Sequence, residues 1–296
     1  MIGTTNETWP DRAAARLALG YFRALAALPY RRRLALAGWL FAHPFARFGR
    51  RLAISRANLS LIFPDMPRRA REEIARGGLD NFGRTFIEIF AGEEFAARHR
   101  LAPLAGPGLS ELVRAFEAGR PLILATGHIG NIWAAVVALR ARGVDTAVVY
   151  RPTGKRIFDA AYVPALERLG GKAFPRTRAG TRAMVRHLRA GGALVMLIDQ
   201  FTYRGALLDF LGHPARTTLT AAELALKFDA PFFPVYGIRK QDGLSFAQIV
   251  GARIPPSDAA AMTQRFNDDL AAMVRAHPEQ WMWMHRRWKD VPGIYD

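Results

Sequence analysis

The stretch PLILATGHIGNIWAAVVALRARGVDTAVVY, residues 121–150, decides the fold. Its apolar runs PLILAT (121–126) and DTAVVY (145–150) have the length of buried strands, and NIWAAVVALRARG (131–143) between them has the length and composition of a helix. Strands that alternate with helices imply a layered structure with parallel strands. The stretch therefore predicts an α/β fold.

The same alternation continues towards the C-terminus. We expect further strands at ALVMLID (193–199), PFFPVYGI (231–238) and SFAQIVG (245–251). We expect further helices at DAAYVPALERLGG (159–171), GTRAMVRHLRAGG (180–192) and TLTAAELALKF (218–228). The predicted fold class is α/β, a largely parallel sheet flanked by helices. Ligands gather at the carboxyl ends of the strands in such sheets, so the residues that follow strands are candidate site residues.

The composition points to a folded protein with an anionic partner. Among 296 residues, 42 Lys and Arg stand against 25 Asp and Glu, a formal net charge of +17, and half of the residues are apolar. Such a charge implies nucleic acid, an anionic membrane or a phosphorylated substrate. No nucleic-acid reading motif is recognisable, so we expect no nucleic-acid partner. The absence of cysteine excludes disulfides, thiolate catalysis and cysteine metal ligands.

Nearly half of the surplus charge lies in residues 1–60, which hold ten Arg against Glu7 and Asp11. The run AAARLALGYFRALAAL (13–28) predicts a basic amphipathic helix. One stripe of this helix holds Arg12, Arg16 and Arg23. A second apolar run, 34–46, falls short of the roughly 17 to 25 residues that a membrane span needs. Two interpretations stay open: a helical pair that lies in a membrane interface, which we favour, or an ordinary helical layer on the core.

The chain is expected to fold around one shared core. Residues 1–100 are predicted to form a helical, membrane-facing segment, and residues 101–296 the α/β unit. Residues 55–67 are predicted to form a loop that contains Pro64 and Pro67, followed by helices around residues 68–92.

Polar side chains lie at the ends of three predicted strands. His128 is in the turn after the first, Arg151 comes just past the second, and Asp199 lies at the end of the run 193–199. His128 lies in the turn GHIGN, where backbone N–H groups favour developing negative charge and the glycines let the backbone approach a ligand. The structural alternatives are an incidental histidine in a helix-capping turn, a surface arginine and a salt-bridged aspartate. Because the three residues follow strands of one sheet, we expect them at one edge of it.

Several motifs occur in a fixed order along the chain. They are RANLSLIFPDMP (56–67), GHIGN (127–131), YRP (150–152), LIDQ (197–200), DFLGHPARTT (209–218) and PEQWMWMHRRWK (278–289). Together they resemble the bacterial lipid A biosynthesis (lauroyl or myristoyl) acyltransferases, a family within the larger lysophospholipid acyltransferase group. The resemblance covers nearly the whole chain, and the last motif is the most specific.

The resemblance implies a glycerol-3-phosphate acyltransferase-like fold and a transfer reaction. A fatty acyl chain would move from a thioester of acyl carrier protein or coenzyme A to a hydroxyl of a phosphorylated glycolipid, such as a lipid A precursor. It also implies peripheral or monotopic association with the cytoplasmic face of a bacterial inner membrane. No metal and no bound organic cofactor are expected, since the thioester is a co-substrate. By the resemblance, His128 is the general base for the acceptor hydroxyl.

The family's signature is a histidine followed five positions later by Asp or Glu, and this position is Trp133 here. The carboxylate fixes the histidine tautomer and stabilises the imidazolium that forms. Asp199 is the first candidate for a replacement acid, and a backbone carbonyl is the weaker one. The competing hypothesis is a catalytically impaired lipid-binding relative, in which Trp133 fills part of the pocket.

The remaining expectations concern charge. Backbone N–H groups near Gly130 and Asn131, helped by Arg151, are expected to receive the oxyanion of the reaction. Arg286, Arg287 and the N-terminal arginines are expected to hold acceptor phosphates and membrane headgroups. The tryptophans beside the C-terminal basic cluster are interpreted as membrane-seeking residues.

Overall fold

The structure is a computed structural model and describes residues 9–295. The α-helices are α1 (Trp9–Ala26), α2 (Tyr30–Ala42), α3 (Arg51–Ile62), α4 (Arg68–Ala91), α5 (Glu93–His99), α6 (Leu109–Glu117), α7 (Ile132–Ala141), α8 (Arg156–Gly170), α9 (Arg178–Arg189), α10 (Thr220–Lys227) and α11 (Ala259–Ala276). The strands are β1 (Leu104–Ala105), β2 (Leu122–Thr126), β3 (Thr146–Tyr150), β4 (Lys172–Pro175), β5 (Ala193–Leu197), β6 (Ala206–Phe210), β7 (His213–Thr217), β8 (Phe232–Arg239) and β9 (Phe246–Val250). Short 3-10 helices cover Phe45–Arg50 and Pro278–Gln280.

Within the described residues, seven strands form one sheet in the order β1-β9-β8-β2-β5-β3-β4. Every neighbouring pair is parallel except β8 with β9. The strands β6 and β7 pair separately as an antiparallel hairpin. The predicted α/β fold with a largely parallel sheet flanked by helices is confirmed.

The core lies on both faces of the sheet, because successive residues of a strand point to opposite sides. Ile123 and Ala125 of β2 pack in one apolar cluster with residues of α9, α10 and α11. Leu122 and Leu124 pack in another cluster with residues of α7 and α8. All of β2 is buried, as expected for a parallel strand covered on both faces. The carboxyl ends of the parallel strands β2, β3 and β5 therefore meet at one edge, which positions the side chains that follow them.

The N-terminal helices form a layer on α4. Leu34 of α2 packs in a buried cluster with Leu25 of α1 and Ile87 of α4. The other side of α2 leaves Leu36 and Trp39 exposed. None of the helices in residues 9–295 has both the length and the apolar character needed to cross a bilayer. The layer thus has one face in the core and one exposed face that is partly apolar.

The predicted loop over residues 55–67 is wrong in its first part, because α3 extends to Ile62. Asn58 lies inside this helix, and its side-chain amide donates hydrogen bonds to the carbonyl oxygens of Trp283 at 2.7 Å and His285 at 2.8 Å. These long-range contacts stabilise the helix against the C-terminal segment, which local sequence does not reveal. The turn that remains is short and contains the two prolines.

The C-terminal tryptophans are core residues. Trp281, Trp283 and Trp288 are each at most 1% exposed. The ring centroids of Trp281 and Trp283 lie 4.7 Å apart, and those of Trp281 and Trp288 lie 5.9 Å apart. Their interpretation as membrane-seeking residues is wrong, because their apolar area is buried within the protein.

Candidate active site

The turn between β2 and α7 holds His128 at the carboxyl edge of the sheet. Gly130 in this turn has a left-handed φ of 55°, and a Cβ there would collide with the carbonyl oxygen of Gly237 in β8. Only glycine therefore allows the turn to lie so close to β8. Asn131 caps α7, because its side-chain oxygen accepts a hydrogen bond from the backbone N–H of Trp133 at 3.0 Å. The backbone is thus fixed on the C-terminal side of His128.

The structure brings together two of the predicted site residues, His128 after β2 and Asp199 after β5. The ring nitrogen Nδ1 of His128 lies 2.6 Å from Oδ1 of Asp199, and the backbone N–H of His128 donates to Oδ2 at 2.7 Å. The indole N–H of Trp281 donates to the same Oδ2 at 3.0 Å. Burial raises the pKa of Asp199, but the charge of His128 and these hydrogen bonds outweigh burial and lower the pKa to about 2. The carboxylate is therefore ionised, which assigns the ring proton to Nδ1.

The other ring nitrogen, Nε2, is the accessible one. The side chain of His128 is 28% exposed, whereas that of Asp199 is only 2% exposed. With the proton on Nδ1, Nε2 carries a lone pair, and the amide nitrogen of Gln200 lies 3.3 Å from it. A buried carboxylate that orients a histidine with one open nitrogen is the arrangement of a general base.

His285 supports the segment that carries Asp199 and Gln200. Its Nε2 accepts a hydrogen bond from the backbone N–H of Phe201 at 2.9 Å. Burial lowers the pKa of His285 to about 4, so this ring is neutral and can accept that bond. The sequence alone does not predict a role for this histidine, although it lies in the most specific motif.

A cavity of about 860 Å³ opens beside His128 at this edge of the sheet. Its polar lining includes His128, Gln200 and His285, together with the arginines Arg151, Arg176 and Arg178. Its apolar lining includes Phe86 and Ile89 of α4, Trp133 of α7, and Tyr162 and Leu166 of α8. We call this second set the apolar arm. A cavity with a basic part and an apolar arm fits a ligand that has an anionic group and a long hydrocarbon chain.

The backbone N–H groups expected to receive the oxyanion are already engaged. That of Gly130 donates to the carbonyl oxygen of Gln280 at 3.1 Å, and that of Asn131 donates to Gly237 at 2.7 Å. The amide of Asn131 donates to Glu88 at 2.7 Å. The expectation is therefore wrong for Gly130 and Asn131, because these donors hold the turn in place. The Gln200 amide is a polar group that does line the cavity.

The expectation that Arg287 holds a phosphate is also wrong. Arg287 is fully buried, and its guanidinium donates to the carbonyl oxygen of Arg216 at 2.5 Å and to the hydroxyl of Thr217 at 2.6 Å. Burial lowers its pKa to about 10. Arg286 remains partly exposed beside the ring of Tyr295, with 5.6 Å to the ring centroid. A role of Arg286 in phosphate binding stays a prediction.

A buried ion pair between α4 and β8 supports the turn that carries His128. Two nitrogens of Arg239 in β8 each donate to one carboxylate oxygen of Glu88 in α4 at 2.7 Å. Arg239 also donates to Asn81 at 2.9 Å, and the amide of Asn81 donates to the carbonyl oxygens of Gly130 and Gln280, each at 2.9 Å. Each charge has its partner, so the network joins α4, β8 and the His128 turn rigidly.

Comparisons with known proteins show the family to which the chain is similar. A sequence model of the family described as "Bacterial lipid A biosynthesis acyltransferase" matches residues 3–290. The chain is 26% identical over 256 residues to a phosphatidylinositol mannoside acyltransferase of Mycobacterium tuberculosis, covering 83% of this chain and 80% of the relative. It is 26% identical over 272 residues to a lipid A biosynthesis acyltransferase of Haemophilus influenzae, covering 88% and 85%. A lipid A biosynthesis lauroyltransferase of Escherichia coli is 26% identical over 252 residues, covering 82% and 80%.

Proposed function

Because the chain belongs to the bacterial lipid A biosynthesis acyltransferase family and is thus an acyltransferase, we propose that it transfers a fatty acyl chain from a thioester to a hydroxyl of a phosphorylated glycolipid. The observation that carries the proposal is the contact of His128 Nδ1 with the buried carboxylate of Asp199, which leaves Nε2 open to a cavity with an apolar arm. That geometry supplies a base at one end of a space suited to an acyl chain.

In the proposed reaction, the acceptor hydroxyl donates a hydrogen bond to Nε2 of His128. As the hydroxyl oxygen attacks the thioester carbonyl carbon, its proton moves to Nε2 and the new C–O bond forms. Asp199 stabilises the imidazolium that results, because its carboxylate contacts Nδ1. The tetrahedral intermediate then collapses, the C–S bond breaks, and the thiolate takes the proton from Nε2. His128 returns to its starting state.

The oxyanion needs donors other than the occupied N–H groups of the turn. Gln200 is suited to this role, because its amide nitrogen already lies 3.3 Å from the reacting nitrogen of His128 and lines the cavity. Arg151 is exposed at the cavity and supplies positive charge there. We assign the oxyanion to Gln200 with support from Arg151.

The acceptor and the donor are each proposed as a chemical class. Relatives are named for phosphatidylinositol mannoside and for lipid A, so the acceptor of this chain is proposed to be a glycolipid with a phosphate, such as a lipid A precursor. The donor is proposed to be acyl carrier protein or coenzyme A, and both present a phosphate near the pantetheine arm. Arg151, Arg176 and Arg178 line the basic part of the cavity and are suited to such phosphates.

The competing function is a catalytically impaired lipid-binding relative. It is favoured by Trp133, which is buried and apolar at the position where the family has an acid. The Asp199 carboxylate weighs against it, since Asp199 contacts His128 in the way that an orienting acid requires. We therefore favour an active enzyme.

Mass spectrometry of lipids from a strain that lacks this protein tests the proposal. One acyl group should be missing from a phosphorylated glycolipid, and the wild-type chain should restore it. The mass difference identifies the acceptor and the chain length together. An unchanged lipid profile would argue against acyl transfer to a glycolipid.

We further propose that residues 1–100 bring the protein to the cytoplasmic face of the inner membrane as a peripheral or monotopic protein. The N-terminal layer exposes large apolar side chains, namely Trp9, Leu17, Trp39 and Phe48. Exposed arginines lie on the same segments, namely Arg16, Arg23, Arg31, Arg32, Arg47 and Arg50. Apolar side chains interspersed with cations suit an interface with anionic lipid.

Flotation with anionic phospholipid vesicles tests this surface. Replacing Trp39 and Phe48 together by serine is expected to weaken vesicle binding by about tenfold or more, because each large apolar side chain contributes about 1.5 to 3 kcal/mol when buried. Leu207→Ser is the control, since Leu207 is 54% exposed on the β6–β7 hairpin. Equal binding by the double variant and the control would contradict the assignment.

A further inference from the structure

Trp133 forms an inner wall of the apolar arm. It lies in the first turn of α7, is only 6% exposed and lines the cavity. Phe86, Ile89, Tyr162 and Leu166 line the arm with it. A hydrocarbon chain in this arm meets apolar side chains on several sides, and such an environment favours methylene groups over polar ones.

The indole of Trp133 also forms the end of the apolar arm in the direction of α8. The described residues that line the cavity include Leu166 but not Gly170, which lies four positions later on the same helix. A Cβ on Gly170 would lie 2.6 Å from Cζ3 of Trp133 and 2.5 Å from Cγ1 of Val148 in β3. The indole therefore fills the space in front of Gly170 of α8, in one buried cluster with Val148 of β3. It fits there because residue 170 has no side chain.

We infer that Trp133 sets the upper length of the acyl chain that the cavity accepts. This inference rests on the proposed function, in which Nε2 of His128 fixes the position of the reacting thioester carbonyl. The length of the chain then determines how far its methyl end reaches into the arm. A chain that reaches the indole cannot extend further, because a packed interior does not yield. Longer chains leave their extra methylenes outside the arm.

The test compares saturated acyl thioesters of graded length with the wild-type protein and with Trp133→Leu. The smaller side chain opens space towards Gly170, so donors about two methylenes longer than the wild-type optimum should gain about tenfold in kcat/KM, since one buried methylene contributes a factor of about four. Leu226→Ala is the matched control. Leu226 is 42% exposed on α10 and is not among the described residues that line the cavity, so its exchange should leave the chain-length profile unchanged.

Gly170→Ala is the second variant and should act in the opposite direction. The added methyl group pushes the indole towards the cavity, so the optimum should move to shorter donors. This variant keeps the tryptophan and therefore separates a change in arm length from a loss of packing. If thermal unfolding shows that Trp133→Leu does not fold, the chain-length profile of Gly170→Ala alone tests the inference.

Shifts in the two expected directions support the inference. An active protein whose profile stays unchanged in both variants overturns it, and so does an equal loss of rate at every chain length. If the wild-type protein and Leu226→Ala transfer no acyl group from any thioester, the proposed function fails and this inference falls with it.

Discussion

Replacing His128 with alanine is expected to lower the rate of acyl transfer by about 10⁶-fold, as the loss of the catalytic histidine does in a comparable site. The variant lacks the nitrogen that takes the hydroxyl proton. Gln200, the neighbour of Nε2 at 3.3 Å, has an amide that cannot act as a base. Transfer of a labelled acyl group to glycolipid in membranes of the deletion strain measures the effect.

The control for this prediction is His277→Ala. His277 follows α11 and does not belong to the described residues that line the cavity. Its removal should leave the rate of transfer near that of the wild type. Undiminished transfer by His128→Ala would show that His128 is not the base, and the proposed mechanism would have to be abandoned.

Replacing Asp199 with asparagine is expected to lower kcat by about 10³- to 10⁴-fold, as the loss of an orienting carboxylate does in comparable sites. Both oxygens of Asp199 accept hydrogen bonds. Oδ2 accepts from the backbone N–H of His128 and from the indole of Trp281, and Oδ1 contacts Nδ1 of His128. An amide offers an N–H in place of one oxygen, so one donor then faces another donor. The wrong tautomer of His128 is favoured, and the imidazolium loses its counter-charge.

Asp229→Asn is the matched control for this exchange. The side chain of Asp229 is 93% exposed and pairs only with Arg120 at 2.9 Å, so its loss should affect neither rate nor stability by more than a small amount. The pKa of Asp199, about 2 in the folded state, also means that its carboxylate stays ionised at any pH near neutrality. Its contribution to stability is present above about pH 4 and is lost as the pH falls towards 2.

The central strands could be predicted from the sequence, and other elements could not. β2, β3, β5 and β8 are apolar runs bounded by turns, because both faces of these strands are buried. β4, with the sequence KAFP, is an edge strand with a lysine and a proline and carries no such signal. The β6–β7 hairpin is partly exposed, and β7, with the sequence HPART, contains a proline and an arginine and has no apolar run.

The residues of the candidate site could likewise be predicted only in part. His128 and Asp199 could be found because each lies two residues after a buried strand, and topology brings the ends of adjacent strands together. The hydrogen bonds that occupy the N–H groups of Gly130 and Asn131 could not be predicted, since their acceptors in Gln280 and Gly237 lie far away in sequence. Local patterns do not encode such pairings.

Charge alone was a poor guide to the role of Arg287. Its position in a basic cluster suggested a phosphate ligand, but the guanidinium satisfies backbone and hydroxyl oxygens in the core. The Glu88–Arg239 pair was missed for the related reason that its members are 151 positions apart. Burial of a charge depends on packing between distant segments, which a single sequence does not display.

The role of Asp199 is tested most directly by comparing kcat for acyl transfer by Asp199→Asn and Trp133→Glu under the same conditions. If Asp199, and not residue 133, provides the carboxylate for His128, Asp199→Asn should lose about 10³- to 10⁴-fold in kcat. Trp133→Glu should also be slower than the wild type, because a carboxylate at a buried apolar wall is poorly solvated. A large rise in rate for Trp133→Glu, with Asp199→Asn close to the wild type, would show that Asp199 is not the orienting acid.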